Sequence, residues 1–325
     1  MASIPVSHIP GRHCGSTGLC NLVNYHNIPW SEAMCFGIGA GLGLWYLDGP
    51  GIPASRMIHV RSADLEYQFF TRIGISFEWE QFNDPADSER VLCERLDQGA
   101  PVMLQTDIFD LPYYGSSTHF PGHVITAWGY DRENDVFFVT DTERTEVYAV
   151  PFPAMRKARY CRNGFFKVKG NMFAPRQLQM PKDMAGVLRG AIAHNSRTLT
   201  DRELDFQGIA GLEKWQAELP TWHELDDWQW TARFVYQIIE KRGTGGGGFR
   251  VIYSEFLREA AEYLPEVKSF RLPELMETAA AAWIELASAL KAASEREKPD
   301  FDEVSEKLRS VRAAEAAYHE RAVGI

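Results

Sequence analysis

One cysteine in this 325-residue chain has neighbours that could make it reactive. Cys14 is followed by Gly15, further small residues and an apolar stretch, which predicts that its thiol lies at the start of a helix. The N–H groups and dipole at such a position favour a thiolate and can stabilise a developing oxyanion. A cysteine beside a glycine is also a common small core residue, so the motif needs a partner elsewhere in the sequence.

A histidine and an aspartate offer that partner. Two apolar segments, residues 121–131 and 136–140, flank a polar stretch and predict a β-hairpin. His123 opens the first strand and Asp141 closes the second, so we expect their side chains to meet at the open end of the hairpin. A carboxylate there fixes the imidazole tautomer, and the imidazole can take the proton of a thiol. We therefore predict Cys14 as nucleophile, His123 as base and Asp141 as orienter, with His119 as the alternative base.

The order Cys14, His123, Asp141 resembles that of papain-like thiol enzymes. Three segments extend the likeness over nearly the whole chain: Gly11-Arg-His-Cys-Gly-Ser-Thr-Gly-Leu, Ser31-Glu-Ala-Met-Cys-Phe-Gly-Ile-Gly-Ala-Gly-Leu-Gly, and Gly243-Thr-Gly-Gly-Gly-Gly-Phe-Arg-Val-Ile-Tyr-Ser-Glu-Phe-Leu. Together with the His123 hairpin, they are similar to the butirosin biosynthesis protein H family. The resemblance implies an α+β fold, with a papain-like catalytic domain that contains an antiparallel sheet, followed by a mainly α-helical domain.

The resemblance also implies an activity. The founding reaction of that family moves an aminoacyl group from the phosphopantetheine thioester of an acyl carrier protein to an amine of an aminoglycoside. We therefore expect an acyltransferase of specialised-metabolite biosynthesis that uses an acyl-cysteine intermediate, a small-molecule acceptor, and no bound metal or cofactor. A thiol hydrolase (amidase, peptidase or thioesterase) with the same three residues is the alternative. A non-catalytic carrier-binding protein is a third hypothesis, which the intact set of three residues disfavours.

Two residues are candidates for a second oxyanion donor. Papain-like sites usually place a glutamine about half a dozen residues before the nucleophile to complete the oxyanion hole. That position lies near His8 in this chain, which makes His8 the first choice. Gln105, on a predicted strand, is the other candidate.

Basic residues suggest where a carrier could bind. One basic cluster in an acidic chain predicts a docking patch for an acidic carrier protein, with an ordinary solvated surface as the alternative. Arg250 follows the glycine-rich residues 243–248, whose N–H groups could help it hold a phosphate of the pantetheine arm. The residues of the basic cluster are Arg156, Lys157, Arg159 and Arg162.

The texture of the sequence changes near residue 174. Residues 1–174 mix short β-branched segments with helical ones, with strands predicted at 102–106, 123–128, 136–140 and 164–168. Residues 175–325 show apolar spacings of three to four residues, bounded by Pro or Gly, which predict helices. The sequence therefore predicts a catalytic domain over 1–174 and a helical domain over 175–325.

The overall composition excludes several classes of protein. The chain has 44 acidic against 34 basic residues, a net charge of −10, which disfavours nucleic acid as a partner. Five cysteines without a CxxC pair predict neither a disulfide framework nor a zinc knuckle. The sequence lacks a recognisable signal peptide and an apolar run long enough for a bilayer, so we expect a cytoplasmic protein with no membrane partner. Association with further copies of the chain, as a homo-oligomer, is retained as an alternative to a monomer.

Overall fold

The computed structural model describes residues 2–161 and 167–325. Its strands and helices alternate in the first half of the chain, and helices fill the second half. The strands are β1 (Ala2–Ser3), β2 (Leu42–Asp48), β3 (Arg56–Arg61), β4 (Val102–Asp107), β5 (Pro121–Asp131), β6 (Val136–Thr140), β7 (Tyr148–Pro151) and β8 (Met172–Phe173). The helices are α1 (Cys14–Tyr25), α2 (Glu32–Ile38), α3 (Leu65–Arg72), α4 (Pro85–Asp97), α5 (Phe152–Ala158), α6 (Met184–Thr200), α7 (Gly208–Glu218), α8 (Trp228–Glu240), α9 (Arg250–Ala260), α10 (Glu266–Ser269), α11 (Leu272–Ser294) and α12 (Asp302–Ala322).

The α+β class predicted from the sequence is confirmed. Strands β4, β5 and β6 match three of the predicted strands, and the β5–β6 pair is the predicted hairpin, with Thr126 opposite Thr140. The strand predicted at 164–168 overlaps residues 162–166, which lie outside the described part of the chain. The pair β2–β3 is a hairpin that the sequence reading did not predict, because the glycines of residues 37–43 obscure its alternation.

The chain divides into two compact units, Met1–Cys35 with Ile73–Met180, and Phe36–Arg72 with Pro181–Ile325. We call them the sheet unit and the helical unit. Residues 36–72, placed in the first domain by the sequence, thus group with the helices, since the ring of Phe256 fills the space beside Gly37. The linear boundary at residue 174 stays a prediction.

The sheet unit is built on an antiparallel sheet of order β7-β6-β5-β4-β8, with β1 paired to β5. Its core lies between this sheet and α4 and α5, and includes Leu104, Ile125 and Phe137. Helix α1 packs on the sheet through Gly18, where a Cβ would stand 3.1 Å from both Met103 and Val124. The absence of a side chain therefore lets the helix approach the sheet closely, and the sheet then fixes the position of Cys14.

The helical unit packs α6 to α12 together with the β2–β3 hairpin. Its core contains Trp215, Trp222 and Trp283, which are fully buried. This agrees with a packing role for the tryptophans of this region. None of the helices in the described residues combines the length and the apolar character needed to cross a bilayer.

Candidate active site

The thiol of Cys14 lies at the first residue of α1. His13 caps the helix, with its Nδ1 accepting from the backbone N–H of Ser16 at 3.3 Å. The backbone N–H of Thr17 reaches the His13 carbonyl at 2.9 Å, which closes the first turn. Cys14 is partly exposed, whereas the other four cysteines are buried. The helix start predicted from the sequence is therefore present, and its thiol is the most accessible of the five.

A carboxylate that the sequence reading missed holds this helix start in place. Glu32 Oε1 accepts from the backbone N–H of His13 at 2.8 Å and from that of Arg12 at 2.9 Å. The same oxygen accepts from the hydroxyl of Ser16 at 2.9 Å and from that of Thr17 at 3.2 Å. One side chain thus joins the residues on both sides of Cys14. Glu32 carries no sequence signal for this role, because its partners are mainly backbone groups.

His123 and Asp141 meet at the open end of the β5–β6 hairpin, as their positions predict. His123 Nε2 lies 2.8 Å from Asp141 Oδ1, and both side chains are almost fully buried. The other ring nitrogen, Nδ1, takes no part in this hydrogen bond. Thr106 on β4 donates to the His123 carbonyl at 3.1 Å, which ties the start of β5 to its neighbour.

Tyr113 and Thr142 hold the carboxylate of Asp141. Tyr113 Oη donates to Asp141 Oδ2 at 2.7 Å, and Thr142 Oγ1 donates to Oδ1 at 2.8 Å. Burial, followed by the charge of Asp141, raises the pKa of Tyr113, so the phenol stays protonated and remains a donor. Tyr113 lies in the loop between β4 and β5, where nothing in the sequence marks it as a partner of Asp141.

The electrostatics of the site couple His123 to both neighbours. Burial by itself lowers the pKa of His123, but the charge and hydrogen bond of Asp141 outweigh it, and Cys14 adds a hydrogen bond and a Coulombic contribution of the same sign. Together they raise the pKa to about 10. Burial acts to raise the pKa of Asp141, yet the imidazolium and its hydrogen-bond donors lower it overall. The arrangement therefore favours an imidazolium between a carboxylate and a thiol.

Tyr114 and Arg144 border the imidazole. The Tyr114 ring meets that of His123 edge to face, with centroids 5.4 Å apart. The guanidinium of Arg144 lies over the Tyr114 ring, 4.7 Å from its centroid. These contacts fix the orientation of the ring of His123 and place a positive charge near the site.

The structure places the two oxyanion candidates differently. Both ring nitrogens of His8 are engaged, Nδ1 with Asn21 Oδ1 at 3.1 Å and Nε2 with the carbonyl of Arg144 at 2.8 Å. His8 therefore has no nitrogen turned to a substrate, and its ranking as first choice is not supported. The Oε1 of Gln105 accepts from Asn171 at 2.8 Å, which orients its amide.

The residues predicted to bind a carrier protein differ in their exposure to solvent. Arg156 and Lys157 are exposed on α5, where Arg156 makes a two-pronged pair with Glu89 at 2.6 and 2.7 Å. Arg159 is buried and donates to the Gly170 carbonyl at 2.8 Å, so its assignment to a docking surface is wrong. Arg162 lies outside the described residues.

The prediction that Arg250 holds a phosphate of the pantetheine arm is also wrong. Its side chain is 0% exposed and pairs with Glu315 at 2.7 Å. A second contact runs to the carbonyl of Gly248, also at 2.7 Å. The guanidinium therefore stabilises the core of the helical unit and has no surface with which to hold a phosphate.

The alternative base, His119, has a different carboxylate partner. Its Nδ1 lies 2.7 Å from Asp107 Oδ2, and Phe109 stacks on its ring at 4.1 Å. The carboxylate that faces His123 is Asp141, so the geometry favours His123 as base. The thiol of Cys161 lies close to Asp107 and His119, and these three are the cluster that could hold a metal among the described residues.

The fold and this site define a mixed α+β protein with a thiol, an imidazole and a carboxylate gathered at one end of an antiparallel sheet. Residues 13–142 match the family model "Butirosin biosynthesis protein H, N-terminal", and residues 153–322 match a domain of unknown function, DUF4872. A search of curated proteins finds no significant match. The chain belongs to the butirosin biosynthesis protein H family, as its motifs predicted, and carries the DUF4872 domain over its second half.

Proposed function

We propose that this protein is a papain-like, cysteine-dependent acyltransferase that acts in the biosynthesis of an antibiotic or related specialised metabolite. One observation carries the proposal: His123 bonds Asp141 at 2.8 Å and is coupled to the thiol of Cys14 at a helix start. The family match supports the biosynthetic context. The donor in this proposal is an acyl thioester, such as an acyl group on the phosphopantetheine arm of a carrier protein.

In the first half-reaction, the Cys14 thiolate attacks the thioester carbonyl and forms a C–S bond. The carbonyl electrons move to oxygen, and first-turn N–H groups of α1, such as that of Gly15, stabilise the oxyanion. The oxyanion then collapses, the bond to the donor sulfur breaks, and the His123 imidazolium gives its proton to the leaving thiolate. The acyl group remains on Cys14. Exchange of one thioester for another is close to balanced in free energy, so the acyl-enzyme can accumulate.

In the second half-reaction, an amine or hydroxyl of the small-molecule acceptor attacks the acyl-Cys14 carbonyl. Neutral His123 takes the proton of the acceptor, and the Cys14 thiolate leaves as the new amide or ester forms. Asp141 stays ionised throughout and stabilises the imidazolium each time it forms. Water in place of the acceptor would make the same site a thiol hydrolase.

Gln105 is the second oxyanion donor in this proposal. It lies opposite Val124 in the β4–β5 register, so the two side chains share one face of the sheet. Val124 and Met103 also meet α1 through Gly18, which places Gln105 on the face that the helix covers. Its Oε1 is already bonded, so the Nε2 hydrogens are the donors available to an oxyanion.

Intact-mass spectrometry tests the reaction without knowledge of the natural substrate. Wild type is incubated with a panel of acyl-pantetheine thioesters, and a mass increase equal to the acyl group is expected. Cys14→Ala should show no increase, whereas Cys93→Ala, which removes a buried thiol, should behave as wild type. Acylation that persists in Cys14→Ala would overturn the nucleophile assignment. Discharge by a panel of amines supports transfer, and discharge by water alone supports the hydrolase.

The docking patch keeps two exposed members, Arg156 and Lys157. Lys157→Glu should raise the KM for a carrier-bound donor and leave that for a pantetheine thioester unchanged, because only the carrier reaches the surface of α5. Lys291→Glu, in the last turn of α11, is the matched control. Equal effects of Lys157→Glu on both donors would contradict a docking role.

A further inference from the structure

Asp107 is the centre of a second polar cluster in the sheet unit. The residue ends β4, and its side chain is 0% exposed. Oδ1 accepts the backbone N–H groups of Phe109 at 3.1 Å and Phe120 at 2.8 Å. The carboxylate also accepts from the imidazole of His119 and from the thiol of Cys161. Ligand atoms from Asp107, His119 and Cys161 all lie within 4.8 Å of one another.

We propose that Asp107, His119 and Cys161 bind a divalent transition-metal ion, with Zn²⁺ as the best match. Carboxylate oxygen, imidazole nitrogen and thiolate sulfur are all ligands of zinc, and three protein ligands leave a fourth position for water. On binding, the Cys161 thiol releases its proton to solvent and forms a sulfur–metal bond. The Nδ1 proton of His119 is exchanged through solvent to Nε2, so that the imidazole stays neutral and Nδ1 can coordinate the ion. No electron is transferred. The charges of Asp107 and the Cys161 thiolate then balance those of the ion.

The geometry requires little movement of the ligands. Zinc bonds of about 2.0–2.3 Å place tetrahedral ligand atoms roughly 3.3–3.7 Å apart. His119 Nδ1 and Asp107 Oδ2, now 2.7 Å apart, would separate slightly, and all three ligand atoms already lie within 4.8 Å of one another. Hydrogen bonds from the imidazole and the thiol now hold the Asp107 carboxylate, and a cation can take their place. The backbone N–H groups on Oδ1 already orient the carboxylate, as outer hydrogen bonds do in zinc sites.

An ion at this position would fasten the loop of residues 108–120. That loop carries Tyr113, which donates to Asp141, and Tyr114, which meets the His123 ring. His119 is 38% exposed and offers an entry path, whereas Asp107 and Cys161 are buried. Metal binding would therefore connect the loop that supports His123 to the chain segment that follows α5.

Cobalt(II) titration tests the site, because a thiolate ligand gives cobalt a charge-transfer absorption band. The protein should be Cys14→Ala, so that the thiol beside His123 cannot act as a ligand. We expect one equivalent of Co²⁺ to bind with this band and Zn²⁺ to displace it. Further replacement Cys161→Ala should abolish the band, and His119→Ala should weaken binding by at least about tenfold. Cys93→Ala in the same background is the matched control and should bind as its parent.

Stability gives a second measurement. Zn²⁺ should raise the Tm of the Cys14→Ala protein, since an ion that binds only the folded state stabilises it, and the shift should disappear in Cys14→Ala/Cys161→Ala. The proposal is overturned if the charge-transfer band persists without Cys161. It is equally overturned if the Cys14→Ala protein shows neither the band nor the shift, or binds the ion only at millimolar concentration.

Discussion

Replacing Asp141 by Asn should lower the reactivity of Cys14 at mildly acidic pH. The substitution keeps the shape of the side chain but removes the negative charge that lies 2.8 Å from His123 Nε2. That charge is the main reason why the pKa of His123 is about 10 instead of 6.5, since burial acts in the opposite direction. Without it, the imidazole is neutral at pH 7 and no longer supports a thiolate.

The size of the effect follows from the same pKa. Each pKa unit of imidazolium stabilisation that is lost lowers the thiolate fraction of Cys14 by up to about tenfold, at a pH where the imidazole of the variant is neutral. A more basic thiolate is a better nucleophile, with a Brønsted slope of about 0.4–0.5, so its higher reactivity offsets nearly half of each lost power of ten in the alkylation rate. We therefore expect alkylation to slow by about threefold for each pKa unit lost, and the difference to shrink as pH rises and the thiol ionises unaided.

Alkylation by iodoacetamide measures this without a substrate. The rate at Cys14 is followed from pH 5 to 10 by intact mass and peptide mapping, with Cys14→Ala giving the background from the buried thiols. Asp131→Asn, at the other end of the same hairpin, is the matched control. Its carboxylate caps the turn by accepting from Glu133 N–H at 2.9 Å, so it tests general loosening of the hairpin. If the Asp141→Asn profile superimposes on that of wild type, Asp141 does not stabilise the imidazolium.

Three further substitutions test how the fold supports the site and its scaffold. Glu32→Gln should lower the free energy of unfolding by about 2 kcal/mol in urea titration, because a carboxylate that accepts backbone N–H groups of His13 and Arg12 becomes an amide. The substitution should also slow the alkylation of Cys14. An unchanged unfolding free energy and alkylation rate would contradict the role of Glu32 in holding the helix start. Gly37→Ala should lower Tm because its Cβ would overlap the ring of Phe256. Gly190→Ala, in open space within α6, should be neutral or stabilise the protein by up to about 1 kcal/mol. Similar Tm values for the two variants would refute the packing argument. Arg250→Met should lower the free energy of unfolding in urea by about 3–5 kcal/mol, because it leaves the buried Glu315 without the guanidinium. The double variant Arg250→Met/Glu315→Gln should recover part of this loss. If it recovers none, packing of the Arg250 side chain outweighs its charge.

The hairpin is the part of the site that the sequence predicts best. Two short apolar segments around a polar turn fix the pairing of β5 with β6, and antiparallel pairing brings the strand ends at His123 and Asp141 together. The start of α1 at Cys14 follows from local signals as well. These predictions succeed because each depends on neighbouring residues or on one short turn.

Contacts made by distant residues without a local pattern were not predictable. Glu32 reaches the backbone before Cys14, and Tyr113 reaches Asp141 from a loop, so neither leaves a trace in sequence spacing. Arg250 looked suited to phosphate because it follows a glycine-rich segment, yet its guanidinium is buried on Glu315. Whether a charged side chain faces solvent or a buried partner depends on packing that the sequence alone does not display.

The sequence by itself determined the α+β class, the hairpin, the helix start at Cys14 and membership of the family. All of these are encoded in local periodicity, turn residues or contiguous motifs. The tertiary structure decided which groups surround the reactive ones: the carboxylate of Glu32, the phenol of Tyr113, and the cluster around Asp107. Burial and hydrogen bonding across long sequence separations set the pKa of His123, and only the folded chain brings those groups within reach.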